Sequence, residues 1–168
     1  MSDESSVQVP AVIRQRDIIN QISAGLPDRV EGEWLELEFT DRRLSMYAEE
    51  FVSVVFVDGS TGTALPARGT NGLAKELRKL MYQPESGTWF SATWVVTKNS
   101  DGSLDAKVFF NYDDEPNWDD DIHPGLYGID LEDFPRTDEN IPEWLSSLLS
   151  NAAKAENERR AKAEEGKK

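Results

Sequence analysis

The chain has 168 residues, with 32 acidic and 18 basic side chains and a formal net charge of −14 at pH 7. A chain of this length buries about 70% of the surface that its unfolded form exposes, so we expect one domain that needs neither a metal nor a disulfide for stability. The absence of cysteine excludes disulfides, thiolate nucleophiles, iron–sulfur clusters and zinc sites built on cysteine, and a single histidine excludes multi-histidine metal sites. We therefore expect no cofactor.

The distribution of apolar and basic residues limits the class of partner. No segment approaches the ~20 apolar residues of a membrane span, and the first residues are acidic where a secretory signal is basic. We expect a cytoplasmic protein without membrane contact. The strong negative charge argues against nucleic acid and anionic lipid as direct partners, because binding those depends on Lys and Arg at the phosphates. A basic protein partner is favoured.

The first half of the chain reads as one helix followed by strands. Apolar residues at helical spacing follow Pro10, and Gly25 and Pro27 mark the end of that helix. Residues 33–39 alternate in polarity as a strand does, with Trp34 on the wetter face, and residues 51–57 are apolar on both faces, which indicates an interior strand. Residues 61–65 are predicted to return as a short strand.

The second half contains two amphipathic helices and a hairpin. The spacing of apolar residues predicts a helix over 73–81, with Asn71 as its N-cap. Residues 89–97 and 104–112 are rich in β-branched and aromatic residues and are joined by a turn that contains Asp101-Gly102, which predicts a β-hairpin. A last helix begins near Pro142 and keeps an apolar stripe as far as Ala152.

These elements predict an α+β fold in which an antiparallel sheet of four or five strands packs against helices on one side. Residues 1–9 lack periodicity and are expected to be disordered, and residues 10–153 form the single domain. Residues 154–168 have no apolar stripe, so we expect a solvated tail that is helical or frayed.

Most of the excess negative charge lies in residues 113–139, which carry 11 acids and one base, Arg136. Aromatic and aliphatic residues interrupt these acids, and proline and glycine fold the backbone back, so the segment is expected to be an ordered acidic surface and not a solvated tail. Aromatic side chains anchor many interfaces. We therefore predict a partner-binding surface with two central anchors, Trp118 and Tyr127, and surrounding carboxylates at Asp113, Asp114, Glu115, Asp119, Asp120 and Asp121.

Catalytic and metal-binding interpretations of the same residues are weaker. His123 has no nucleophile pattern near it, and we expect a loop imidazole held by neighbouring carboxylates. The acidic run does not have the spacing of a calcium loop, although weak cation binding stays open. Asp105 and Lys107 match half of a nuclease motif but should face solvent, opposite Leu104 and Ala106 on the core face. Asp113 and Asp114 point opposite ways along a strand, which disfavours a glycosidase pair.

Several short motifs in residues 89–145 carry a resemblance to a known family. They are the strand with Trp89, the strand end Asn111-Tyr112-Asp113-Asp114, the aromatic acidic loop, Phe134-Pro135-Arg136 and Pro142-Glu143-Trp144-Leu145. On these motifs the chain resembles the YezG-like immunity (antitoxin) proteins of bacterial polymorphic toxin systems, over most of residues 10–150. The resemblance implies a small cytoplasmic α+β protein without catalysis that binds and neutralises a cognate toxin.

The sequence leaves the partner's chemistry open. The carboxylates are expected to meet a cationic active-site cleft in a 1:1 complex, and both a nuclease and an NAD-consuming enzyme present such a cleft. Trp34 is a rival anchor to Trp118. The alternative functions are an adaptor or chaperone for a secreted basic effector and a hydrolase that uses paired carboxylates.

Overall fold

The computed structural model describes residues 8–167. The expectation of disorder over residues 1–9 falls mainly on residues 1–7, which lie outside the described part, while residues 8–10 belong to no helix or strand. Among the described residues, no helix is both long and apolar enough to cross a lipid bilayer.

Across residues 8–167, helices and strands alternate irregularly along the chain, as an α+β fold predicts. The α-helices are α1 (Ala11–Gly25), α2 (Thr70–Leu80), α3 (Pro124–Asp133) and α4 (Glu143–Glu165), with short 3-10 turns at Leu26–Arg29 and Asp138–Asn140. The strands are β1 (Trp34–Leu44), β2 (Tyr47–Phe56), β3 (Thr61–Ala64), β4 (Ser91–Lys98) and β5 (Leu104–Asn111). These five strands form one antiparallel sheet in the order β3-β2-β1-β4-β5, which confirms the predicted fold class.

The contacts within the chain define two compact units. The first unit contains the described residues up to Thr40 together with Glu50–Met81 and Thr93–Phe109. Helices α1 and α2 pack against each other, and Arg14 of α1 donates two hydrogen bonds of 2.8 Å to the Glu76 carboxylate of α2. Beneath them, the Trp94 indole of β4 packs against Phe39 and donates a 3.3 Å hydrogen bond to the Ile19 carbonyl.

The second unit contains Asp41–Glu49, Tyr82–Ala92 and the chain from Phe110 onward. Its core is built on four buried residues, Leu44, Phe90, Tyr127 and Leu145. Partly buried side chains of α3, α4 and the loop before α3 pack around them, and they include most of the predicted apolar stripe of α4: Ile141, Trp144, Leu148 and Leu149. The acidic segment belongs to this unit.

The structure corrects four local predictions. Residues 124–133 form α3, where the sequence indicated only turns, because Pro124 occupies the first turn of a helix, a position in which its missing N–H costs nothing. Asn71 is not the N-cap of α2, because the helix already begins at Thr70. The N-cap is Gly69, which has a φ of 88°. Trp34 is buried and not on a wet face. Leu104 and Ala106, which were predicted on the core face, are both exposed on β5, the last strand of the sheet, and Leu104 keeps 49% of its surface accessible.

The far end of α4 extends the helix beyond its apolar stripe. Residues 157–167 are exposed, and the helix continues to Glu165. Alanine and long charged side chains dominate this stretch and have high helix propensity. Residues 154–165 are therefore helical, and the chain is exposed from residue 157 to residue 167.

Candidate functional site

The candidate site is the loop between β5 and α3, residues 113–121, which we call the acidic loop. Six of its nine residues are Asp or Glu. A loop with this charge repels itself and needs specific partners to keep one conformation. Its geometry therefore depends on what holds its backbone.

Glu49, near the start of β2, holds the end of the acidic loop. One oxygen of its carboxylate accepts a 2.8 Å hydrogen bond from the Asp119 N–H, and the other accepts a 3.1 Å bond from the Asp120 N–H. The Glu49 side chain is only 10% exposed. A carboxylate that accepts two adjacent backbone N–H groups fixes the direction of the chain there, as an anion does at a helix N-terminus.

Two further side chains complete this anchor. The Tyr47 hydroxyl lies 2.8 Å from Glu49 and 3.1 Å from Asp120, so its proton is shared between two carboxylates. Arg42 donates to Glu49 at 3.1 Å and lies 3.3 Å from Asp119. The anchor thus places one cation and one hydroxyl among three acids, which lowers their mutual repulsion.

The pKa values within the anchor follow from these contacts. Burial alone raises the pKa of Glu49, but the Asp119 N–H, the Tyr47 hydroxyl, the Asp120 N–H and Arg42 together outweigh it, so the pKa lies below its usual value. The hydrogen bond to Glu49, followed by burial and the hydrogen bond to Asp120, raises the pKa of Tyr47. At neutral pH, Glu49 is therefore an anion and Tyr47 is a neutral donor.

Asn111, the last residue of β5, holds the start of the acidic loop. Its side-chain oxygen accepts from the N–H groups of Asp113 and Asp114, and its amide nitrogen donates to the Asp114 carbonyl at 2.9 Å. The Trp144 indole of α4 donates a 2.7 Å hydrogen bond to the Asp113 carbonyl. Both ends of the loop are thus fixed through the backbone.

Arg136, the one base in residues 113–139, is used inside the fold and not on the surface. Its side chain is 2% exposed, donates to the Thr88 carbonyl at 2.8 Å and lies over the Phe90 ring. It reaches Asp113 only at 3.8 Å. Arg136 therefore lies inside the fold while the carboxylates of the acidic loop lie at the surface.

The two predicted anchors do not lie on the surface in the predicted way. Tyr127, on α3, is 1% exposed and packs edge-on against Phe90 and Trp144. Trp118 is partly buried and donates its indole N–H to the Tyr127 hydroxyl at 2.8 Å. Burial raises the pKa of Tyr127 to about 12. Tyr127 is thus buried in the core of its own unit and lies at the floor of the cleft described below, together with Trp118, so the role of the two residues as anchors stays a prediction.

The predicted carboxylates, in contrast, are exposed. The side chain of Asp113 is 84% exposed and that of Asp119 is 73% exposed. The others are also exposed: Asp114, Glu115, Asp120 and Asp121. Glu115, Asp120 and Asp121 line an open cleft of about 610 Å³, whose wall includes Trp118. The acidic loop can therefore offer several carboxylate oxygens to Lys or Arg side chains at once.

The structure also places the residues of the weaker interpretations. His123 is the N-cap of α3, where its Nδ1 accepts the Gly125 N–H at 2.9 Å, so the expectation of an imidazole held by carboxylates is corrected. Within residues 8–167, no three His, Asp or Glu side chains are grouped so as to hold a metal ion. Asp105 and Lys107 are exposed on β5.

Sequence reasoning did not find Glu49, Tyr47 or Arg42. Nothing in the local pattern distinguishes Glu49 from Glu50, and a Tyr two residues before a Glu on a strand is ordinary. Their importance comes from residues that are about 70 positions away in the chain. No known protein-family model matches this sequence, and no curated protein is significantly similar to it.

Proposed function

We propose that the chain is an immunity protein, which binds and inhibits a cognate bacterial toxin by covering a cationic cleft with the acidic loop. The observation that carries this proposal is the anchoring of the loop backbone by Glu49 while the carboxylates around it stay exposed. The resemblance to the YezG-like immunity family supports the choice of partner. The protein acts in the cytoplasm and without catalysis.

Ordering of the loop before binding favours affinity. A flexible loop loses conformational entropy when it binds, whereas a loop fixed by Glu49, Asn111 and Trp144 has already lost most of it. The concentrated negative charge also steers a cationic partner, which raises the association rate at low salt.

Because Tyr127 is buried, slow dissociation is assigned to the carboxylates. Lys or Arg side chains of the toxin donate charge-assisted hydrogen bonds to the exposed oxygens of Asp114, Glu115 and Asp121. These bonds become stronger when the acidic loop fills the toxin cleft and displaces its water. A nuclease and an NAD-consuming enzyme both bind phosphate through such basic residues, and the loop imitates that anion.

The test begins with capture of the partner from the native host on the tagged full-length chain, washed at low and then at high salt. The retained protein is then expressed in a bacterial host with and without this chain. We expect growth arrest by the partner alone, rescue by co-expression, and one toxin bound per chain. A stable complex in which the toxin stays fully active would contradict inhibition and favour an adaptor.

A triple variant, Asp114→Asn with Glu115→Gln and Asp121→Asn, tests the surface itself. These three side chains take part in none of the described hydrogen bonds that fix the loop, so its backbone should stay in place. We expect the association rate constant at low salt to fall by about tenfold or more. The control makes the same change of charge at the far end of α4, with Glu158→Gln, Glu164→Gln and Glu165→Gln. Equal effects of the two variants would contradict the assignment of the acidic loop.

A further inference from the structure

Strand β5 leaves one edge of the sheet open. It is the last strand in the order β3-β2-β1-β4-β5, and no described strand pairs with its outer side. Residues 104–107 are exposed, and Leu104 and Phe109 keep 49% and 58% of their surface accessible. An open edge of eight residues with exposed apolar side chains offers a row of backbone donors and acceptors to another strand.

The hairpin geometry shows which backbone groups face outward. The Asn99 N–H donates to the Ser103 carbonyl at 2.8 Å and closes the hairpin between β4 and β5. In an antiparallel pair, alternate residues bond to the neighbouring strand, so from this point Asp105 and Lys107 bond towards β4. The N–H and C=O groups of the even-numbered residues, including Ala106, then point to the open edge.

The side chains of β5 are complementary to those of a second, antiparallel copy of the strand when the two copies are centred on Ala106. When a second copy of β5 pairs antiparallel with its centre at Ala106, Asp105 of each copy faces Lys107 of the other. These two pairs occupy positions without backbone hydrogen bonds, where opposed side chains lie closest. Leu104 of each copy then faces Val108 of the other, which adds two apolar contacts.

The charges around the strand favour a second copy. The chain carries −14 overall, but the 93–109 segment has two bases, Lys98 and Lys107, and two acids, Asp101 and Asp105. This part of the surface is locally neutral and does not repel its own copy as an acidic face would. Lys107 forms no ion pair within the described residues, and Asp105 accepts only a 3.2 Å bond from the Asn99 amide.

We propose that β5 pairs with β5 of a second copy and forms a homodimer with a continuous sheet across the two-fold axis. The opposite edge does not offer the same fit, because β3 has only four residues and no charged side chain. The dimer follows from the edge strand and is independent of the toxin and of the acidic loop.

Charge reversal tests this register. Sedimentation equilibrium at about 0.1 mM protein should give a mass near twice the 18.9 kDa of one chain. With Asp105→Lys alone, the new lysine of each copy faces Lys107 of the other copy. With Lys107→Asp alone, the new aspartate of each copy faces Asp105 of the other. Both variants place like charges opposite each other, so each should raise the dimer dissociation constant by about tenfold or more. An equimolar mixture of the two variants restores opposite charges at both pairs and should form a heterodimer as stable as the wild-type dimer.

A second variant tests the backbone pairing. Ala106→Pro removes an outward N–H that β4 does not use, so the hairpin should remain while dimerisation is lost. The circular dichroism spectrum of the variant serves as the check on folding. A wild-type chain that is monomeric at 0.1 mM overturns the proposal. A dimer that persists in Ala106→Pro, or a mixture that fails to pair, also overturns it.

Discussion

At the scale of single residues, Glu49 determines the structure of the end of the acidic loop. Its carboxylate replaces the solvent around two backbone N–H groups, and it brings Tyr47 and Arg42 to the same point. The exposed Asp119 and Asp120 depend on this one buried side chain for their positions, whereas Asn111 and Trp144 hold the start of the loop.

Replacing Glu49 by Gln should release the end of the acidic loop. The change removes the negative charge and puts an N–H donor where an acceptor is needed, so we expect a loss of about 1–3 kcal/mol in the free energy of unfolding. Amide hydrogen exchange at Asp119 and Asp120 should become at least about tenfold faster. The exposed Glu38→Gln on β1 is the matched control, and a similar exchange rate in both variants would show that Glu49 does not hold the loop.

The pH dependence of this effect has a definite sign. The pKa of Glu49 in the folded chain is lower than the ordinary value of 4.5, so the folded state binds fewer protons than the unfolded state. The stabilisation is complete above that ordinary value and is lost as the pH falls through the folded-state pKa. Urea unfolding of the wild type and Glu49→Gln should therefore differ at neutral pH and converge as the pH falls below 4.5 and through the folded-state pKa. A difference that stays constant with pH would contradict the role of the carboxylate.

Some single residues of the candidate site could be predicted from the sequence and others could not. Composition located the exposed carboxylates of the acidic loop, because charged side chains seldom become fully buried. Composition did not reveal that Tyr127 is buried, since an aromatic among acids has the same local pattern whether it packs against a partner or within a core. The contacts of Tyr127 with Phe90, Trp118 and Trp144 show that it belongs to the core.

At the scale of elements, the strongly periodic segments were predictable and α3 was not. Helices α1, α2 and α4 and strand β4 each bury apolar residues at a regular spacing that is visible in the sequence, and the Asp101-Gly102 turn marks the β4-β5 hairpin. Helix α3 contains Gly125 and Gly128, which lower helix propensity, and its stability comes from packing against α4 and from its cap.

His123 provides that cap, which gives a test at this scale. His123→Ala should cost about 1 kcal/mol in the free energy of unfolding, because the Gly125 N–H loses its acceptor. His123→Asp restores an oxygen acceptor at the N-cap and should recover most of the loss. Urea unfolding at pH 7 measures both variants. If Asp and Ala behave alike, the imidazole has another role than capping.

At the scale of the whole molecule, repulsion within a net charge of −14 lowers the free energy of unfolding at neutral pH. Ten units of this net charge lie in residues 113–139, where compaction brings them close together. Proteins that only need solubility can spread their charge. The concentration of charge here is consistent with selection for binding at the expense of stability.

Salt should therefore stabilise the folded chain. Raising NaCl from about 0.02 M to about 0.5 M shortens the Debye length severalfold and screens this repulsion, so the midpoint of urea unfolding should rise. The rise should be smaller in the variant with Asp114→Asn, Glu115→Gln and Asp121→Asn. In the α4 control variant it should equal the rise measured for the wild type. Equal salt dependence in all three proteins would show that the repulsion is not concentrated in the acidic loop.

The unit that carries the acidic loop is assembled from distant parts of the chain. Asp130 of α3 accepts hydrogen bonds from Ser45, which is 85 residues earlier, and the Trp144 indole holds the loop backbone from 31 residues later. During synthesis these partners leave the ribosome well after β1 and β2, and long-range contacts form slowly. A chain truncated before Trp144 would carry every aspartate of the loop but lack the full set of contacts that orders them. A nascent or prematurely terminated chain is therefore expected to compete poorly with the finished protein for the proposed toxin.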